Sequence, residues 1–132
     1  MTLSQLRSNI ISEVLGNSFP DTKHYYDETL TIQTDNLKEF IRVSIELEED
    51  TQVATGSNSL IRTHGELQFQ IMVRAGDTSK LALDVMEHYK QVFTNKVKSA
   101  VNYRTFTRQP PVKVGDWYMY TTEVRFNALT SI

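Results

Sequence analysis

The sequence predicts an α+β fold of two layers, with two helices packed on one face of an antiparallel sheet of four to five strands. Three observations carry the prediction. Two stretches repeat apolar residues at helical spacing, several others alternate apolar and polar residues strictly, and they follow one another in the order α-β-β-β-α-β-β. Two helices can cover only one face of such a sheet, so the other face is left to solvent or to partners. The length of 132 residues suits one domain, 1–132. At this size about two-thirds of the unfolded surface is buried, enough for a core without disulfides or metals.

The first helix is read over residues 3–15, where Leu3, Leu6, Ile10 and Val14 form a stripe flanked by Ile11 and Leu15. Thr2 and Gln5 have capping-box spacing, and Gly16-Asn17 with Pro20 ends the helix. Residues 25–34 have weak strand character. Over 40–47 the alternation is clear: Ile41, Val43, Ile45 and Leu47 point one way, Arg42, Ser44 and Glu46 the other. This strand runs into Glu48-Glu49-Asp50, and the polar stretch 51–59 is expected to be a loop long enough to carry function.

The strand over 65–74 has the most regular pattern, Leu67, Phe69, Ile71 and Val73 alternating with Glu66, Gln68, Gln70 and Met72. Ala75-Gly76-Asp77 breaks it, and a second amphipathic helix is expected over 78–94, with Leu81, Val85, Tyr89, Val92 and Phe93 on one face. Strand character returns with Val101, Tyr103 and Thr105 opposite Asn102, Arg104 and Phe106. Gln109-Pro110-Pro111 and Gly115-Asp116 form a stiff turn region. The last strand, 117–129, places Tyr118, Tyr120, Thr122, Val124, Phe126 and Ala128 on one face, and Trp117, Met119, Thr121, Glu123 and Arg125 on the other.

The chain has 14 basic and 16 acidic residues, a net charge of −2, so nothing draws it generally to nucleic acid or anionic lipid. Zero cysteines exclude disulfides, a thiol nucleophile and Cys-based metal sites. The N-terminal residues lack the basic and apolar regions of a signal peptide, and no apolar run approaches a membrane span; a soluble cytoplasmic domain is expected. His24, His64 and His88 have no second histidine at metal-ligand spacing, and no HExxH, GxSxG or P-loop is present. His64-Gly65-Glu66 has the residue types of a general base beside a flexible turn, but the expected reading is a polar residue at the start of a strand. The acidic run Glu46, Glu48, Glu49, Asp50 lacks the spacing of a calcium loop. Gly76-Asp77-Thr78 places an acid where a phosphate-binding helix start has none. Arg104, Arg108 and Lys113 near Tyr103, Phe106 and Trp117 come closest to a base-stacking platform. These readings point to no enzyme, no metal and no cofactor.

The stretch Arg62–Gly76, of pattern R-x-x-G-x-L-x-h-x-h-h-h-x-x-G (h apolar), lies between the strand Phe40-Ile41-Arg42-Val43-Ser44-Ile45 and an amphipathic helix ending at Phe93. A hairpin closing on Trp117-Tyr118 and Val124-Arg125-Phe126 follows. From about Leu3 to Phe126 this order resembles the tail terminator proteins of long-tailed bacteriophages. Asp77-Thr78-Ser79 stands where family members often carry a second glycine.

The resemblance implies a structural virion protein that forms a homo-oligomeric ring, usually a hexamer, on the head-proximal end of the tail. Its partners would be the tail tube protein and a head–tail connector or neck protein, with DNA only passing through the lumen and no membrane. Assembly would take place in the host cytoplasm. On that expectation, Gln68, Gln70, Met72, Trp117, Met119 and Thr121 are candidate subunit or tube contacts, and Glu48, Glu49 and Asp50 candidate lumen-facing acids that keep DNA passage slippery. A ring-forming neck or head–tail adaptor protein is the nearest alternative. A small α+β ligand-binding domain or enzyme with a pocket near His64 and Glu66 is a more distant one.

Overall fold

The computed structural model describes residues 1–26, 37–52, 60–74 and 80–131. Expectations for 27–34, for 53–59 and for the junction at 75–79 lie outside the described residues. Helix α1, Leu3–Gly16, starts at the expected capping box. The Thr2 side chain accepts from the Gln5 N–H at 3.2 Å, and Gln5 Oε1 accepts from the Thr2 N–H at 2.8 Å. Helix α2 is Lys80–Phe93.

The sheet holds the expected strands as β1 (His24–Tyr26), β2 (Glu39–Gln52), β3 (Leu60–Arg74), β5 (Val101–Arg108) and β7 (Trp117–Ser131). Two three-residue strands, β4 (Lys96–Lys98) and β6 (Val112–Val114), are added to them. Spatial order is β1-β2-β3-β7-β5-β4, with β6 pairing β7 beyond the end of β5. All pairings are antiparallel except β1 with β2, which are parallel.

Both helices lie on the same face of this sheet, which makes the fold a two-layer α+β sandwich. Leu6, Ile10 and Val14 of α1 join Ala82, Val85, Tyr89 and Phe93 of α2 in one core with Ile41, Val43, Leu67, Phe69, Ile71, Val124 and Phe126. Phe69 stacks on Tyr89 at 4.1 Å between ring centroids, and Phe93 meets Tyr103 at 4.8 Å.

Two β-bulges change which side chains share a face. In β5 the register shifts between Tyr103 and Phe106, so Phe106 lies opposite Val124 and packs on the core. Uninterrupted alternation had put it on the other face with Asn102. In β2 the strand continues through the acidic run to Gln52, with a shift between Leu47 and Asp50. Residues 51 and 52, expected to open a loop, still pair with Arg62 and Ile61.

Candidate functional site: the uncovered face of the sheet

Strict alternation in three long neighbouring strands brings the residues away from the helices into cross-strand rows. Phe40, Met72 and Met119 form one row, continued by Val112 of β6; Arg42, Gln70 and Thr121 form the next. Ser44, Gln68 and Glu123 follow, then Glu46, Glu66 and Arg125. All six residues expected as contacts, Gln68, Gln70, Met72, Trp117, Met119 and Thr121, are therefore on this one face. Thr121 is only 4% exposed, so five of the six present surface.

One end of the face is apolar and aromatic. Trp117 packs edge-on against Phe40 at 5.0 Å, Phe40 does the same with Tyr25 at 5.7 Å, and the Arg74 guanidinium lies 4.2 Å from the Trp117 ring centroid. The other end is charged. Arg125 donates from Nη1 to Glu66 Oε1 at 2.9 Å and from Nη2 to Glu48 Oε2 at 2.7 Å, a fork between two carboxylates. Gln68 and Gln109 both donate to Glu123 Oε1, at 3.1 and 2.7 Å.

Glu66 keeps a raised pKa even with this arginine beside it. Partial burial and the charges of Glu123 and Glu48 disfavour its carboxylate more than Arg125 favours it. The sequence offered Arg125 and Glu66 only as polar alternation; their pairing depends on a register between strands 59 residues apart.

The candidate lumen acids separate. Glu48 is on the uncovered face in the Arg125 fork. The bulge turns Asp50 to the same face as Leu47, the helix side, where it is exposed. The side chain of Glu49 lies outside the described residues. His64 and Glu66 do share the uncovered face, but no turn separates them: Gly65 is in mid-strand, paired with Leu47 and Phe126. A Cβ at this position would stand 2.5 Å from the Glu46 carbonyl oxygen and 2.6 Å from Phe126 Cζ, so the glycine serves close packing.

A second polar cluster sits at the edge of the core. Tyr89 Oη accepts from the Phe19 N–H at 3.2 Å and lies 2.6 Å from His24 Nε2, while His24 Nδ1 lies 3.0 Å from the Thr22 carbonyl. That carbonyl requires a proton on Nδ1, so Nε2 of the neutral ring accepts from the tyrosine. Burial lowers the His24 pKa, opposed by the Thr22 hydrogen bond and reinforced by His88. Burial likewise pushes Tyr89 up to about 12. This cluster ties β1 and the end of α1 to α2. Among the described residues no three His, Cys, Asp or Glu side chains gather as metal ligands, and no helix is long and apolar enough to cross a membrane.

No family model matches the chain, and no curated protein matches it in sequence. Among solved structures, one whose name describes no activity or partner superposes with a TM-score of 0.75. It covers 97% of this chain and 96% of its own at 15% identity, a likeness that shows the fold alone.

Proposed function

We propose that the protein is a structural assembly protein of a long-tailed bacteriophage that caps the head-proximal end of the tail tube as a ring. One observation carries this reading: the centre of the sheet is built from strands of 14 and 15 residues, and among the described residues helices cover only one of its faces. The other face presents an apolar end around Trp117, Met72 and Met119 and a polar end around Gln68 and Glu66, the mixed composition of a wet protein–protein contact. The resemblance of Arg62–Gly76 and its flanking elements to tail terminators supplies the identity of the partners, a tube protein below and a connector or neck protein above. Catalysis has no part in this role.

The test is polymerisation of the cognate tube protein with substoichiometric amounts of this chain, followed by electron microscopy. Short tubes with a ring at one end are expected, and Met72→Lys with Met119→Lys should restore long tubes. Tubes that lengthen unchecked in the presence of the wild-type protein would sink the proposal. Rings that bind the connector and ignore the tube would move the chain to the neck or adaptor proteins.

A further inference from the structure

The sheet carries opposite charge on its two flanks. Segment 96–114, which forms β4, β5 and β6, holds Lys96, Lys98, Arg104, Arg108 and Lys113 and no acidic residue. On the other side, β2 holds Glu39, Glu46, Glu48, Glu49 and Asp50 against Arg42, with Glu48 in addition paired to Arg125 of β7. Among the described residues, only the three-residue β1 lies outside β2 in the sheet, and only β4 outside β5. A chain of net charge −2 thus has a basic side and an acidic side separated by β3 and β7.

Beyond its pairing with β4, the β5 part of the basic flank is an unpaired strand edge among the described residues. The Arg104 carbonyl faces outward and accepts from the Asn95 N–H at 3.0 Å, whereas the Gln109 N–H faces inward to the Thr121 carbonyl at 2.9 Å. Alternation between them turns the backbone groups of Phe106 and Arg108 outward, where no described strand pairs with them. Val97 is exposed in β4, and Val112 and Val114 of β6 are exposed at the margin of the uncovered face. A groove of about 350 Å³ runs beside it, between Leu83 and Met86 of α2 and Phe106 and Arg108 of β5.

We infer that the basic edge of β5 and β6 is a self-association surface that receives the acidic β2 flank of a second copy of this chain. Two unlike patches meeting head to tail make a heterologous contact, which closes into a ring when the rotation per subunit allows. The inference deepens the ring reading and rests on it for that closure. It takes up the margins of the uncovered face and leaves its centre, with Met72, Trp117 and Met119, free for the tube. Complementary charge sets the register and speeds encounter, while the outward backbone groups and exposed valines supply the contact itself.

The test uses sedimentation velocity on the full chain and on two charge-reversed variants, Arg104→Glu/Arg108→Glu/Lys113→Glu and Glu46→Lys/Asp50→Lys. Circular dichroism melting checks that both variants fold. Wild-type association should weaken about tenfold or more between roughly 50 and 500 mM salt. Each variant alone should be monomeric, and an equimolar mixture should associate again, a rescue that mere misfolding does not produce. Oligomers that persist in either variant, or mixing without rescue, would overturn the inference. So would wild-type protein that stays monomeric at low salt, or retention of duplex DNA by the basic flank with oligomer state unmoved by its reversal. Tube capping by a wild-type monomer would overturn this inference alone and leave the capping reading standing.

Discussion

Strand β3 presents two faces whose residues alternate along one backbone, and they have opposite characters. Toward the helices, Leu67, Phe69, Ile71 and Val73 are at most 4% exposed. Away from them, Glu66, Gln68, Gln70 and Met72 are half-buried by each other and by neighbours in β2 and β7. The first face is fixed by packing density, where a lost methylene group is felt. The second is held by long side chains lying across one another, with hydrogen bonds among Gln68, Gln109 and Glu123 in place of a covering layer. Stability therefore resides on the helix side, and the opposite side contributes less to it.

Paired truncations on this strand offer the largest effect that can break the contrast. Phe69→Ala removes the ring stacked on Tyr89 and is expected to cost about 4 kcal/mol. Gln68→Ala, one residue away on the other face, should cost less than about 0.5 kcal/mol. Urea unfolding of both variants measures the difference. Similar costs for the two would mean that the uncovered face is as much a part of the core as the covered one.

The covered face was legible from the sequence because strict alternation in 40–47, 65–74 and 117–129 has one physical meaning, a half-buried strand. The same alternation gave the uncovered face by complement, so the row of Gln68, Gln70, Met72, Trp117 and Met119 was legible too. Strand β4 was not. Its two-residue turn, Ser99-Ala100, takes φ of 50° and 63° with neither Asn nor Gly. The turn is fastened from α1, where Asn9 donates to the Ser99 carbonyl at 3.2 Å and Glu13 accepts from the Ser99 hydroxyl at 3.2 Å. Those contacts are 90 and 86 residues distant in sequence, and no local pattern encodes them. The bulges escaped for a related reason. One extra residue in β5 reverses the parity of Phe106, and one in β2 turns Asp50 away from Glu48, yet neither is marked by Gly or Pro.

A pH titration sharpens the contrast at the core's edge. His24 is neutral when folded and its pKa is depressed by burial below the usual 6.5, so between those two values the unfolded chain binds more protons. Stability is then fully present above 6.5 and falls as pH drops through the folded pKa. His24→Gln, whose amide oxygen can still accept from Tyr89, should reduce the slope of the melting temperature over that window. An unchanged slope would show that His24 does not carry the dependence. At the alkaline end the order reverses: Tyr89 stays protonated up to about 12 when folded, and the stability this gives is lost as pH rises above 10.

Arg125 on the uncovered face should have a small effect on folding. Its guanidinium is half exposed, with 53% of the side chain accessible, and solvent screening reduces what its two ion pairs contribute. Arg125→Gln is expected to cost about 0.5 kcal/mol at pH 7. Removing the arginine leaves Glu48, Glu66 and Glu123 mutually repelling, and the already raised Glu66 pKa moves further up. A carboxyl group that holds its proton more tightly when folded opposes folding in full above its raised folded pKa, and the opposition fades as pH falls from there to the unfolded value of about 4.5. The cost of the substitution should therefore shrink between pH 7 and pH 4, read from urea midpoints at each pH. A cost above about 2 kcal/mol, constant with pH, would make the fork between Glu48 and Glu66 a structural element of the same rank as the Phe69–Tyr89 stack. The two faces of the sheet would then differ in chemistry and not in their share of the stability.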